Sequence, residues 1–130
     1  MFNARIIKEE DYQELLTWWK WHRFPAPAIE MLPNSGVMIS KKEINICAGY
    51  IYFTNSSICW VEFIVSNPDY RESDRKEAIK EVIQQLTSIA KDNGFKAVYT
   101  NLKNPSLIKY FKEVNYQEGS IQTTEMIRLL

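Results

Sequence analysis

Apolar side chains recur along this chain in two rhythms, and the switches between them set the order of elements. Asn3 to Ile7 reads as a short strand. Glu9-Glu10-Asp11 then opens a helix, with acids where the N-terminal dipole favours them. Leu15, Leu16, Trp18 and Trp19 give that helix its apolar face, and it is expected to end near His22. Pro25 and Pro27 remove donors and hold the chain extended, so Phe24 to Ser35 reads as a loop with a helical turn at Ala28 to Met31. Three strands follow, Gly36 to Ser40, Ile44 to Phe53 and Ile58 to Val65, split by turns at 41–43 and 54–56. They read as an antiparallel meander. The last is so apolar that it is expected to be central and covered on both faces.

Ser66-Asn67-Pro68-Asp69-Tyr70 breaks the sheet, and the strongest helical pattern comes next. Ile79, Val82, Ile83, Leu86, Ile89 and Ala90 keep to one face over about five turns. Asp74 with Glu77 fits a capping box, with Ser73 an equally good cap. Asn93-Gly94 ends the helix at a left-handed position. Phe95 to Thr100 is a strand, expected to lie parallel to the one before the helix, since a helix crosses back to it. Asn104-Pro105-Ser106 starts a helix that runs to about Glu113. Val114 to Gln117 and Ile121 to Leu129 predict a closing hairpin around Gly119. The fold class is therefore α+β, one domain over residues 1–130. Its sheet is mixed but mostly antiparallel, with six to seven strands and helices on both faces.

Composition narrows the function classes. Lys and Arg number 16 and Asp and Glu 16, so the formal net charge is zero. A chain that tracks a phosphate backbone usually carries a basic excess, so nucleic acid is not an expected partner. The two cysteines, Cys47 and Cys59, sit in strand-like apolar runs, which suits buried reduced thiols and no disulfide scaffold. With one histidine and no CxxC pair, no metal site is expected. No signal-peptide core or membrane-length apolar run is evident, so the expected location is the cytoplasm and no membrane partner is expected. Aromatic residues make up 13% of the chain, and several of them cluster from Trp18 to Phe24.

The element order resembles the GCN5-related N-acetyltransferase (GNAT) superfamily, and three stretches carry the likeness. Glu62-Phe63-Ile64-Val65-Ser66-Asn67-Pro68-Asp69-Tyr70-Arg71 is similar to the family's fourth strand running into its acyl-CoA loop. The long amphipathic helix follows it directly. Asn104 to Tyr116 is similar to the family's Asn, helix, aromatic pair and strand start. The whole chain also resembles small phage-encoded members. The resemblance implies an acyl-CoA-dependent N-acyltransferase, with acetyl-CoA as co-substrate and a small-molecule or peptide amine as acceptor. A homodimer is a further expectation. A second reading keeps the fold but makes it a non-catalytic binding or regulatory module.

The resemblance assigns roles residue by residue. Glu62 would be the general base, since a half-buried carboxylate near Trp60 has a raised pKa; the other reading is an ion pair with a nearby Lys or Arg. Ile64, Val65 and Ser66 would orient the donor through their backbone. Arg71, Ser73, Arg75 and Lys76 would hold the pyrophosphate at the helix start, or simply form a solvated first turn. The family's small loop positions are occupied by Glu72, Asp74 and Lys76. Asn104 would bond the pantetheine arm or cap its helix. Phe111 stands where many members carry a Tyr that protonates the leaving thiolate, with Tyr110 about 100° away around the helix. Asn115 replaces the usual Gly and tolerates the left-handed turn. Trp21, Arg23, Phe24 and, more remotely, Glu30 would contact the acceptor, the alternative being packing under the proline-rich loop.

Overall fold

A computed structural model describes all 130 residues. The chain forms β1 (Asn3–Ile6), α1 (Tyr12–Trp21), β2 (Gly36–Lys41), β3 (Ile44–Tyr52), β4 (Ile58–Ser66), α2 (Arg75–Asp92), β5 (Ala97–Tyr99) and α3 (Pro105–Glu113). Short 3-10 turns at Glu9–Asp11 and Ile29–Met31 lead into α1 and β2. The sheet has five strands in the order β1-β2-β3-β4-β5. β1 to β4 are antiparallel, and β5 runs parallel to β4 across the α2 crossover, as a helical return requires.

Strand alternation divides the core into two layers. On one face Val37, Ile39, Cys47, Ile51, Cys59 and Val61 pack against Val82, Ile83 and Leu86 of α2 and Phe111 of α3. On the other face Met38, Ala48, Tyr50 and Val65 pack against Leu15, Trp18 and Trp19 of α1. Each fully buried aliphatic side chain in these layers contributes roughly 1.5–3 kcal/mol.

All three helices end in the same way. The amides of Phe24, Phe95 and Tyr116 reach back five residues to Trp19, Ala90 and Phe111, at 3.0, 3.1 and 3.0 Å. The residue before each, Arg23, Gly94 or Asn115, has positive φ. This is the Schellman arrangement, and it satisfies carbonyls that a helix end would otherwise leave bare. The sequence marked Gly94 and Asn115 for it; Arg23 takes the same role unmarked. A Cβ at Gly94 would meet nothing within 4 Å, so Gly94→Ala tests backbone strain alone. Urea unfolding is expected to show a loss of about 1 kcal/mol. An unchanged midpoint would contradict the left-handed geometry.

Three expectations need correction. The sheet has five strands, not six to seven, because 114–130 forms no ladder. Val114 and Tyr116 pack on the α2 layer, and the Tyr116 hydroxyl meets Thr87 Oγ1 at 2.6 Å. Beyond them, Ile121, Met126, Ile127 and Leu129 are exposed. β5 is three residues long, which gives a hairpin little edge to build on, and an isolated hairpin is marginal in water. Next, β4 is not covered on both faces: Trp60, Glu62 and Phe63 are only half-buried. Finally, Asp74 occupies the N-cap position of α2 but does not cap it. Its two carboxylate oxygens accept from Lys41 Nζ and the Tyr70 hydroxyl, both at 2.7 Å, and charge-assisted bonds of that kind outcompete a capping amide.

Candidate functional site

The middle of β4 holds the main irregularity of the sheet. Ala48 pairs with Val65 and Tyr50 with Glu62, so two steps along β3 span three along β4. Phe63 is the residue with positive φ, 59°, in this span. The β4–β5 ladder ends at Trp60 opposite Tyr99. Beyond it, Val61 accepts a bond from Thr100 Oγ1 at 2.7 Å, and the rest of β4 has no strand on that side. A bulge of this kind kinks a strand and ends its pairing. Here it leaves a splayed edge between β4 and β5.

The α1 face of the same splayed segment is lined by aromatic rings. Glu62 lies opposite Tyr50, and Trp60 lies opposite Tyr52. The Trp60 and Tyr99 rings lie 5.1 Å apart. The extra residue, Phe63, turns its ring onto this face and meets Trp19, Phe24 and Tyr52 at 6.3, 6.2 and 6.3 Å. Tyr52 donates to the Met31 carbonyl at 2.8 Å, which ties the loop after α1 to the wall.

Glu62 has no cationic partner among the ion pairs of the structure. Burial lifts its carboxyl to about 7, with added repulsion from Glu125 in the C-terminal segment. Tyr52, in turn, is raised by burial and by the Glu62 charge. The folded state therefore keeps a proton that the unfolded chain releases near 4.5, and stability falls as pH rises through about 7. Glu62→Gln is expected to raise the unfolding free energy at pH 8 by about 1–2 kcal/mol, after discounting for contact with water. The gain should shrink at pH 5. Equal gains at both values, read by thermal unfolding, would refute the raised pKa.

A second group of residues lies at the start of α2. The amides of Lys76 and Glu77 have no partner, since the local bonds run from Arg75 to Glu72 and from Ala78 to Asp74. The Asp74 carboxylate is held below its usual range, chiefly by Lys41, so its charge is matched within the fold. Arg71 and Arg75 line a cavity of about 280 Å³ with Trp21, Pro68 and Glu72. Arg71 also borders a larger cavity of about 460 Å³ beside Lys41 and Lys42. Ser73 and Lys76 are exposed and line neither.

No family model and no curated protein sequence matches the chain, but solved structures do. N-acetylglutamate synthase from Neisseria gonorrhoeae, complexed with coenzyme A and L-arginine, superposes with a TM-score of 0.75 at 11% identity. The match covers 95% of this chain and 29% of that one. The ribosomal-protein-S18-alanine N-acetyltransferase of Escherichia coli gives 0.73 at 12% identity, over 92% of this chain and 80% of that one. An aminoglycoside acetyltransferase from an uncultured soil metagenomic sample, in complex with sisomicin, gives 0.72 at 9% identity, over 98% and 97%. The chain has the GNAT fold.

Within that GNAT fold, the residues expected from the sequence separate. Glu62 and Phe24 come together through Phe63, while Ile64, Val65 and Ser66 form the free end of β4. The Ser66 carbonyl accepts from His22 Nε2 at 3.0 Å, which ties the end of α1 to the end of β4. Trp21 points away from the aromatic cleft, against His22 and into the Arg71–Arg75 cavity. Arg23 serves the α1 terminus, and Glu30 is exposed in the 3-10 turn without an ion pair. Asn104 caps α3, its Oδ1 accepting from Ser106 and Leu107 at 2.8 and 3.2 Å. Phe111 is 2% exposed and packs edge-on to Tyr116, so it is a core residue. Tyr52 and Phe63 were missed by the sequence reading. Pairing β3 with β4 across the turn at 54–56 sets Tyr52 opposite Trp60 and is the signal for Tyr52; the bulge that places Phe63 leaves no such signal. No three His, Cys, Asp or Glu side chains converge as a metal site, and no helix is long and apolar enough to cross a membrane.

Proposed function

We propose that this protein is an acyl-CoA-dependent N-acetyltransferase that moves an acetyl group to a primary amine, working in the cytoplasm. One observation carries the reading: an unpaired, half-buried carboxylate, Glu62, stands among aromatic rings on the segment of β4 that pairs with β3 but has no strand on its β5 side. The donor's chemistry fits the residues present. Arg71, Arg75 and the free Lys76 and Glu77 amides would hold the pyrophosphate, offsetting Glu72. The open edge of Ile64 to Ser66 would align the pantetheine arm, and a thioester supplies the activated acyl carbonyl. Glu62 would take the proton that the amine loses as its nitrogen attacks. Phe111 donates no proton, and with a pKa near ~8.5 the released thiolate can leave without one.

Calorimetry with acetyl-CoA tests this reading. Binding is expected, and Arg71→Ala with Arg75→Ala should weaken it by about tenfold or more. The same pair should affect a phosphate-free pantetheine thioester far less. No binding at millimolar donor would remove both the donor site and the enzyme. Binding with no transfer across a broad amine panel would favour the non-catalytic module.

A further inference from the structure

We infer that the acceptor is an amine carried on a flat, apolar body, an arylalkylamine, and not an amino sugar, an amino acid or a peptide terminus. The inference rests on the acetyltransferase reading and specifies its acceptor site. The charged group these rings surround is the Glu62 carboxylate, and it is in no ion pair with a Lys or Arg. An ammonium group is the complementary charge. Glu125 adds a second acid near the same point, which favours a cation and disfavours an acceptor that carries its own carboxylate or phosphate.

The walls argue for the rest of the molecule. Trp60 and Phe63 flank Glu62 along β4; the Trp60 ring meets Tyr99, and the Phe63 ring meets Tyr52 and Phe24. The Tyr52 hydroxyl is already spent on the Met31 carbonyl. Phe24 and Tyr99 expose 48% and 49% of their surface, so apolar area remains for a ligand to cover. Aromatic faces attract cations and stack on planar groups. Beyond the Tyr99 hydroxyl and the Trp60 indole N–H they offer little to the several hydroxyls of a sugar or the amides of a peptide, and polar groups buried without partners weaken binding.

Phenethylamine is the probe. With acetyl-CoA as donor, thiol release is expected to give kcat/KM about a hundredfold above that for glucosamine, glutamate or an alanine-initiated peptide. Tyr99→Ala and Phe24→Ala each alter an exposed ring. Each is expected to raise KM for phenethylamine by about tenfold, with the acetyl-CoA affinity within about twofold of the parent. A second readout works without turnover: phenethylamine should change the tryptophan fluorescence of the protein alone, and less so in Glu62→Gln. Equal or better turnover of glucosamine, glutamate or the peptide would overturn the inference. So would an unchanged KM in both ring variants, or no fluorescence response at millimolar phenethylamine. Failure to bind acetyl-CoA, with phenethylamine still bound, would overturn the acetyltransferase reading and leave the amine site supported.

Discussion

Glu62→Gln is expected to lower acetyl transfer at pH 8 by about a hundredfold or more, the scale of a lost general base. Acetyl-CoA affinity should stay within about twofold, because the donor contacts proposed for Arg71, Arg75 and the end of β4 do not involve this side chain. The pH profile makes the prediction specific. In the parent, transfer should climb with pH and reach half its plateau near 7, where burial places the Glu62 carboxyl. In the variant that step should vanish. Initial rates at saturating donor across pH 5 to 9 are the measurement. Equal loss of rate and of donor affinity would make Glu62 a binding residue, and a retained step at 7 would assign the titration elsewhere.

Trp19→Ala is expected to cost about 3–5 kcal/mol, the range for an emptied aromatic position in a core. Trp19 is 1% exposed and packs in the layer under α1, edge-on to Phe63 and beside Tyr12. Removing it takes away a core side chain and the support of a cleft wall together. Trp19→Phe is the informative comparison. The indole Nε1–H is buried with no hydrogen-bond partner, an arrangement that destabilises the native state. A phenyl ring removes that orphan donor, so its lost volume should be partly offset and the cost should stay below about 2 kcal/mol. Urea unfolding of the three proteins decides the point. Similar losses for Ala and Phe would mean that the indole nitrogen is satisfied in solution.

Much of the scaffold was legible because it obeys local rules. The six apolar positions of α2 follow helical spacing, the prolines stop α1, and Asn93-Gly94 closes α2 with the one residue that suits its φ of 83°. Asn115 could be read the same way. The closing hairpin expected from Val114 to Gln117 and Ile121 to Leu129 around Gly119 does not form, since a strand also needs an edge to pair with and the three-residue β5 offers little. Glu62 stood out as a charge in an apolar strand. Its isolation from every cation did not, since that depends on what α1, β3 and the C-terminal segment bring near it. The capping box failed for a related reason: Lys41, 33 residues away, claims the Asp74 carboxylate. Trp21 went to the cationic cavity and not the cleft because neighbours on a helix point about 100° apart.

Phe63 is supernumerary in a literal sense. Cys59 and Val61 face α2 before it and Ile64 does so after it, while Trp60, Glu62 and Val65 keep the opposite side. Leave that one residue out of the count and the rest of β4 alternates without a fault. The strand thus carries its cleft wall as an addition to a finished scaffold, so the buried residues of β4 bear no imprint of the chemistry beside them. One residue therefore supplies both this ring and the kink that frees the β5 side of β4.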